Sequence, residues 1–208
     1  MENLQVNCNV INKGMIRFFD MVLSVLGLIL CLPLFIVVAL CISLDSRGGV
    51  FYSQLRVGRN NKDFRLLKFR SMRTDSDKTS GITIGSRDSR ITRTGYYLRR
   101  LKLDELPQLI NVFKGDMSLV GPRPEIRKYV DLYTDEQRRV LTVKPGITDY
   151  ASLEFINENE ILGKSSHPEK QYIEEIMPAK IGLNMKFIND PSLSNYFRIL
   201  SLTLKKLF

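Results

Sequence analysis

Residues 21–44 read MVLSVLGLILCLPLFIVVALCISL, with no Asp, Glu, Lys, Arg or His between Met21 and Leu44. About 20 apolar residues suffice to cross a bilayer as a helix, so length alone permits a span. A crossing helix carries its positive excess on one side. Here Lys13 and Arg17 precede the run, and Arg47, Arg56 and Arg59 follow it. Both flanks therefore favour the cytoplasmic face. Pro33, near the middle, has no N–H to donate, and its ring clashes with the preceding turn, so a kink is expected there. Together these features predict a re-entrant membrane helix over residues 15–45, broken at Pro33, that enters a membrane and returns to the same side. A straight spanning helix is the alternative, because proline also occurs in spanning helices.

Other readings of the run fit less well. It is longer than the 7–15 residues of a signal-peptide core, and Ala39-Leu40-Cys41-Ile42 offers no small-residue cleavage site. Bulky Leu40 before Cys41 argues against a lipidated cysteine. The rest of the chain is short for a core that would bury an apolar helix on every face. The 208 residues divide into a polar N-terminal segment (1–14), the membrane helix (15–45) and one cytosolic domain (46–208).

The formal net charge is +9, from 31 Lys+Arg against 22 Asp+Glu. Such an excess implies an anionic partner, and beside a membrane helix lipid headgroups or phosphates are a better match than nucleic acid. No stripe of alternating basic and aromatic residues for stacking bases is apparent. Cys8, Cys31 and Cys41 form no C-x-x-C pair, which excludes a disulfide framework or zinc site and fits a reducing compartment. His167, beside Pro168, is the one histidine and reads as a surface loop residue.

Asp45-Ser46-Arg47-Gly48-Gly49 has turn chemistry and stops the helix. Val50 to Val57 and Phe64 to Met72 read as strands of a β-hairpin joined through Gly58-Arg59-Asn60-Asn61-Lys62. Alternation puts Leu66, Lys68 and Arg70 on one face of the second strand, with Leu67 and Phe69 on the other. Thr74 to Thr94, with Gly81 and Gly85, reads as a mobile loop. Gly95 to Leu101 is basic and aromatic and suits the headgroup level, with Tyr96 and Tyr97 at the interface. A helix is expected from Pro107 to Lys114, closed by Gly115. Gly121-Pro122-Arg123-Pro124 is a stiff turn, and Thr134-Asp135-Glu136-Gln137 has capping-box form. Lys144-Pro145-Gly146 breaks the chain again. The tail holds a helix near Ile173 to Ile188, a break at Asp190-Pro191, and a final amphipathic segment from Tyr196 to Phe208. The expected fold is α/β and helix-rich, with an N-terminal re-entrant helix, a β-hairpin and amphipathic interfacial helices.

Asp104-Glu105 is the sharpest chemical candidate. At the start of the Pro107 helix, free N–H groups and the dipole's positive end would keep Asp104 ionised and attract a phosphate. A carboxylate there could attack phosphorus and form an acyl-phosphate, while Glu105 could hold Mg²⁺. Taken alone, such a pair at a helix start is usually just a cap. Lys68, Arg70, Arg99, Arg100 and Arg123 supply cations around it, and the Pro-Arg-Pro turn pre-orders one guanidinium fork for phosphate. Neither a P-loop nor a dinucleotide-binding glycine pattern is present.

Several of these residues lie in ordered blocks: Arg17-Phe18-Phe19-Asp20, Phe51-Tyr52-Ser53-Gln54-Leu55-Arg56-Val57-Gly58, Lys68-Phe69-Arg70-Ser71-Met72, Leu98-Arg99-Arg100-Leu101-Lys102-Leu103-Asp104-Glu105-Leu106-Pro107-Gln108-Leu109, Asn111 through Pro124, and Lys144-Pro145-Gly146-Ile147-Thr148. They resemble the bacterial sugar transferases, the small monotopic polyprenyl-phosphate phosphoglycosyl transferases. The resemblance implies transfer of a sugar-1-phosphate from a UDP-sugar to undecaprenyl phosphate, with release of UMP, as the first step of a lipid-linked glycan. It implies a covalent two-step mechanism with Mg²⁺, at the cytoplasmic face of the bacterial inner membrane, and the family's membrane helix is re-entrant. By position Asp104 would be the nucleophile, and Glu105 would bind Mg²⁺ or assist the acceptor. Lys68, Arg99 and Arg123 would hold phosphates, Arg70 would join this substrate-binding set, and Gln108 would line the site. The chain departs from the usual pattern where Leu32 replaces serine before Pro33, leaving only Ser24 to help the break. It departs again at Asp149-Tyr150-Ala151-Ser152, where many members read Gly-Trp-Ala-Gln. The alternative is a non-catalytic, membrane-anchored basic module that binds anionic lipid or glycan-assembly partners. The sequence admits a homodimer without specifying one.

Overall fold

A computed structural model describes residues 2–74 and 88–207. Most of the loop expected between Thr74 and Thr94, with Gly81 and Gly85, lies outside the described residues, as does Phe208. Helix α1 runs from Glu2 to Asp45 with Pro33 inside it. It begins well before Met15, so residues 2–14 continue the helix rather than forming the loose polar segment expected. Only 11% of its most apolar stretch is buried. Leu30 is 79% exposed and Leu44 87%. A core helix of a soluble domain would hide these side chains, so α1 is a candidate membrane anchor. Ser24 Oγ donates to the carbonyl of Met21, 3.1 Å away, so its hydroxyl is spent nine residues before Pro33 and does not serve the proline.

The apolar stretch of α1 is fastened at both ends to the domain that follows. Buried Asp20 accepts from Ser118 Oγ (3.0 Å), Leu119 N (2.9 Å) and Tyr196 OH (2.9 Å). Arg17 donates to the carbonyls of Val112 and Phe113 at 2.6 and 2.8 Å. At the far end Asp45 accepts from Thr94 N at 2.8 Å. The Arg70 guanidinium donates to the carbonyls of Ser46, at 2.7 Å, and of Arg47. Between these ties Val38 and Ile42 pack against Phe69 and Leu98.

The hairpin forms as expected, with β1 at Phe51–Val57 and β2 at Asp63–Phe69, antiparallel from Phe51↔Phe69 to Val57↔Asp63. Asn60 and Asn61 at its turn have φ of 57° and 60°, which asparagine tolerates because its side chain can bond locally. β2 ends three residues before Met72. Arg70 leaves the ladder to cap α1, so it does not share the cationic face with Lys68.

Helix α2 spans Arg93–Arg100, and its Thr92 cap accepts from Gly95 N at 2.9 Å. A single 3₁₀ turn, Leu103–Glu105, leads into α3 at Gln108–Lys114. Asn111 of α3 substitutes for a further strand beside β2. Its Oδ1 accepts from Leu67 N (2.9 Å) and its Nδ2 donates to Arg65 O (2.8 Å).

A parallel pair that the sequence did not suggest follows: β3 (Ser118–Val120) beside β4 (Gly146–Thr148). A Cβ on Gly146 would lie 2.1 Å from Gly121 N, so the two chains cross at a point where only glycine fits. Between these strands lie α4 (Arg127–Val130) and a 3₁₀ segment, Gln137–Thr142. The capping box before that segment is realised: Gln137 N donates to Thr134 Oγ1 and Thr134 N to Gln137 Oε1. Helices α5 (Tyr150–Glu154) and α6 (Glu158–Gly163) were not anticipated. The tail contains α7 (Pro168–Gln171), a π turn (Tyr172–Ile176), α8 (Met177–Asn189) and α9 (Leu193–Leu207), with the expected break before α9. His167 is exposed at the start of α7.

Asn111→Ala should lower stability by about 2 kcal/mol or more, because it leaves the Leu67 N–H and Arg65 carbonyl without this partner. Denaturant unfolding in detergent would measure the loss, and an unchanged midpoint would refute the bracing role.

Candidate functional site

Four elements bring cations and carboxylates to one cavity of about 700 Å³, a size ordinary for small-molecule sites. β2 supplies Lys68, α2 supplies Arg99, the 3₁₀ turn supplies Asp104 and Glu105, and the irregular segment after β3 supplies Arg123. Lys102, at φ 57°, redirects the chain between α2 and that turn. The carboxylates therefore precede α3 rather than opening it. Two N–H groups in the first turn of α3 are committed, Leu109 N to Leu106 O and Ile110 N to Pro107 O. The side chains of Lys68, Arg99 and Arg123 bring positive charge to the cavity.

Glu105 is held from two sides. Lys68 Nζ donates to its Oε1 at 3.0 Å, and Arg123 grips both oxygens, NH1 reaching Oε2 at 3.1 Å and NH2 reaching Oε1. Burial alone would raise its pKa, but Arg123 and Lys68 together hold it well below the usual carboxylate range. Asp104 differs. It is 6% exposed and lines the cavity, and among the described residues no side chain or backbone group hydrogen-bonds to its carboxylate. Burial pushes its pKa up, Lys68 pulls it down, and neighbouring Glu105 pushes it up again. The two adjacent carboxylates thus titrate apart: Glu105 is locked as an anion, while Asp104 is poised.

The other expected residues divide. Arg99 lines the cavity half-buried, without an ion pair among the described residues, and lowers the Asp104 pKa. Arg70 touches the cavity wall, but its guanidinium is spent on the end of α1. Gln108 is 1% exposed and does not line the cavity, and its Nε2 has no partner. Arg100 is exposed and outside the cavity lining.

Further residues of the cavity escaped the sequence reading. Tyr52, Gln54 and Arg56 form the half-buried face of β1 and line the cavity. Period-two alternation in that strand was the signal for them. Glu125 accepts from Tyr172 OH and lies 3.7 Å from Arg56 and 3.8 Å from Lys180, whose Nζ also donates to Glu158 at 2.9 Å. Asp149, at one of the departures noted above, is 1% exposed. Its Oδ2 accepts from Arg123 N at 2.9 Å and its Oδ1 from Ser152 N. It fixes the Pro-Arg-Pro turn against the start of α5.

No three His, Cys, Asp or Glu side chains gather to hold a metal among the described residues. Mg²⁺ needs fewer, since it is commonly held by one or two carboxylates, waters and substrate phosphates. A carboxylate offers about four lone-pair sites. Lys68 and Arg123 occupy three of those on Glu105, leaving one on Oε2. That site on Glu105 suits Mg²⁺ once waters, a diphosphate and Asp104, which no described residue hydrogen-bonds, supply further oxygens.

A family model described as "Bacterial sugar transferase" matches residues 11–208, nearly the whole chain. The chain belongs to the bacterial sugar transferase family. Among curated relatives of this family, the chain is 43% identical over 142 residues to a protein of Aeromonas hydrophila named UDP-N-acetylgalactosamine-undecaprenyl-phosphate N-acetylgalactosaminephosphotransferase. It is 45% identical over 148 residues to the undecaprenyl-phosphate glucose phosphotransferase of Komagataeibacter xylinus. These matches cover 66% of the chain in each case, and 33% and 27% of the two relatives. The UDP-glucose:undecaprenyl-phosphate glucose-1-phosphate transferase of Escherichia coli is 34% identical over 205 residues, covering 95% of this chain and 41% of that protein. The chain thus spans a third or less of the first two relatives and about two fifths of the third.

Lys68→Met removes the cation that most favours ionised Asp104. The Asp104 carboxyl should then titrate at higher pH than in the wild type, as followed by carboxyl-carbon NMR. A titration that stays in place or moves down would contradict the electrostatic assignment.

Proposed function

We propose that this chain transfers a sugar-1-phosphate from a UDP-sugar to undecaprenyl phosphate, giving undecaprenyl-diphosphate-sugar and UMP. The observation that carries this reading is Asp104. It is a carboxylate that no described residue hydrogen-bonds, in a cavity lined by the cations Lys68, Arg99 and Arg123, on a domain fastened to a helix with an uncovered apolar face. The names of the relatives point to the same reaction class.

In the proposed first step an Asp104 oxygen attacks the β-phosphorus of the donor. The bond from that phosphorus to the bridging oxygen breaks, and UMP leaves with the electron pair. The product is an acyl-phosphate joining Asp104 to the sugar phosphate. In the second step a phosphate oxygen of undecaprenyl phosphate attacks the same phosphorus and the Asp104 carboxylate departs. The nucleophile must be ionised, so this activity rises with pH through the raised Asp104 pKa. Arg99 and Arg123 hold the diphosphate oxygens, with Arg123 pre-ordered by its prolines, Asp149 and Glu105. Glu105 and Asp104 would hold Mg²⁺, which would neutralise charge on the phosphates.

We read α1 as re-entrant. Asp20 and Asp45 would be about 38 Å apart along a straight helix, more than the roughly 30 Å hydrocarbon layer. Yet both are hydrogen-bonded to one polar domain. A helix that dips into the cytoplasmic leaflet of the inner membrane and returns satisfies both ties. The exposed tyrosines of α2 then suit the interface.

Asp104→Asn should cut UMP release from the accepted UDP-sugar by at least about 10³-fold and abolish a covalent phosphosugar adduct seen by mass spectrometry. Near-normal turnover would overturn the nucleophile assignment. Glu105→Gln should raise the Mg²⁺ concentration needed for half-maximal rate, and an unchanged requirement would remove Glu105 as a ligand. For topology, single cysteines at positions 2 and 49 in a chain otherwise free of cysteine should both resist an impermeant thiol reagent applied outside intact cells. Labelling of one of the two would establish a spanning helix instead.

A further inference from the structure

The leucines and the charges that line the cavity attach to different packing clusters. Leu106, Leu109, Leu119 and Leu200 line it and are half-buried. Each also belongs to a contact with α1. Leu106 packs on the cluster of Val38, Ile42 and Phe69. Leu109 lies so close to α1 that a methyl group on Gly27 would come within 3.1 Å of its Cδ1. Leu119 and Leu200 join the cluster around Tyr196 and Ile199 that takes in Ile16 and Phe19. A second part of the wall carries the charges of Arg56, Glu125, Glu158 and Lys180 together with Ile126, Tyr129 and Phe155. Ile126, Tyr129 and Phe155 belong to the cluster around Tyr172 and Ile176, which contains no residue of α1.

This division matters because the two substrates of the reaction proposed above differ in one respect. The donor is polar throughout, whereas the acceptor joins a phosphate to a hydrocarbon chain that remains in the bilayer. Its phosphate must reach Asp104 while its first carbons leave the cavity without passing over charge, since apolar surface gains free energy only against apolar walls. Leu106 and Leu109 lie two and five residues beyond Asp104 and touch both the cavity and the anchor. We infer that the leucine wall formed by Leu106, Leu109, Leu119 and Leu200 is the binding site for the proximal isoprene units of a polyprenyl phosphate, which enters the cavity along α1. The charged part of the wall is left to the nucleotide sugar. This inference rests on the proposed transfer to undecaprenyl phosphate and deepens it by dividing the cavity between the two substrates.

Leu200→Trp fills the wall from the α9 side without touching Asp104, Glu105 or the cations. With the full chain in detergent, covalent adduct formation from the UDP-sugar without acceptor should stay at the wild-type rate. Turnover with undecaprenyl phosphate should fall at least about tenfold. Wild-type turnover in the variant, or an equal loss of adduct formation, would overturn the inference. A second measurement needs no variant: farnesyl phosphate carrying a diazirine in its first isoprene is photolysed with the unmodified protein. Crosslinks within residues 103–109 or 193–207 support the leucine wall, and crosslinks confined to residues 150–189 refute it. If the wild type formed no adduct yet crosslinked at the leucine wall, the covalent reaction would fail and the lipid site would stand.

Discussion

Glu105 sits between Lys68 and Arg123, so ionised groups from β2, the 3₁₀ turn and the Pro-Arg-Pro segment are drawn together with limited access to water. Removing either cation leaves Glu105 less compensated. The clamp therefore fixes the relative positions of three segments far apart in sequence. It also divides the labour of the adjacent carboxylates. Glu105 takes up the hydrogen bonds, and Asp104, one residue earlier, lines the cavity with none among the described residues. Asp104 is left with a raised pKa and nearby cations, the state a nucleophile toward phosphorus requires.

Around that clamp the domain is braced by polar groups that mimic secondary structure. Asn111 borrows the outer edge of β2, Asp149 holds the Arg123 N–H and caps α5, and Arg17 and Arg70 occupy carbonyls at the ends of α3 and α1. Buried backbone groups must be paired. Two sheets of two strands each offer few ladder bonds, so side chains supply the remainder.

Much of the site could be read from the residues. Asp104-Glu105, Lys68, Arg99 and Arg123 converge because each stands in a short, strongly patterned block. How much a helix end adds to the positive field depends on which N–H groups are already bonded, and only the fold reveals that Leu109 N and Ile110 N are taken. Arg70 was placed by strand alternation, which fails where β2 ends at Phe69. The β3–β4 pair was invisible because two three-residue strands carry too little periodicity, and a motif rich in glycine and proline reads as turn. Gln54 and Arg56 were legible in principle, as their strand alternates cleanly, but their partner Glu125 lies 69 residues from Arg56 in the chain.

The double fastening of α1 has a mechanical consequence. Tied at Asp20 and again at Asp45, the apolar helix and the catalytic cavity move as one rigid piece. With α1 in a bilayer, the height of Asp104 above the acyl layer would be set by geometry rather than by diffusion of a tethered domain. Under the proposed reaction, bilayer thickness would become a control on chemistry: a lipid mixture that lifts or lowers the helix would shift Asp104 relative to its lipid partner by the same distance.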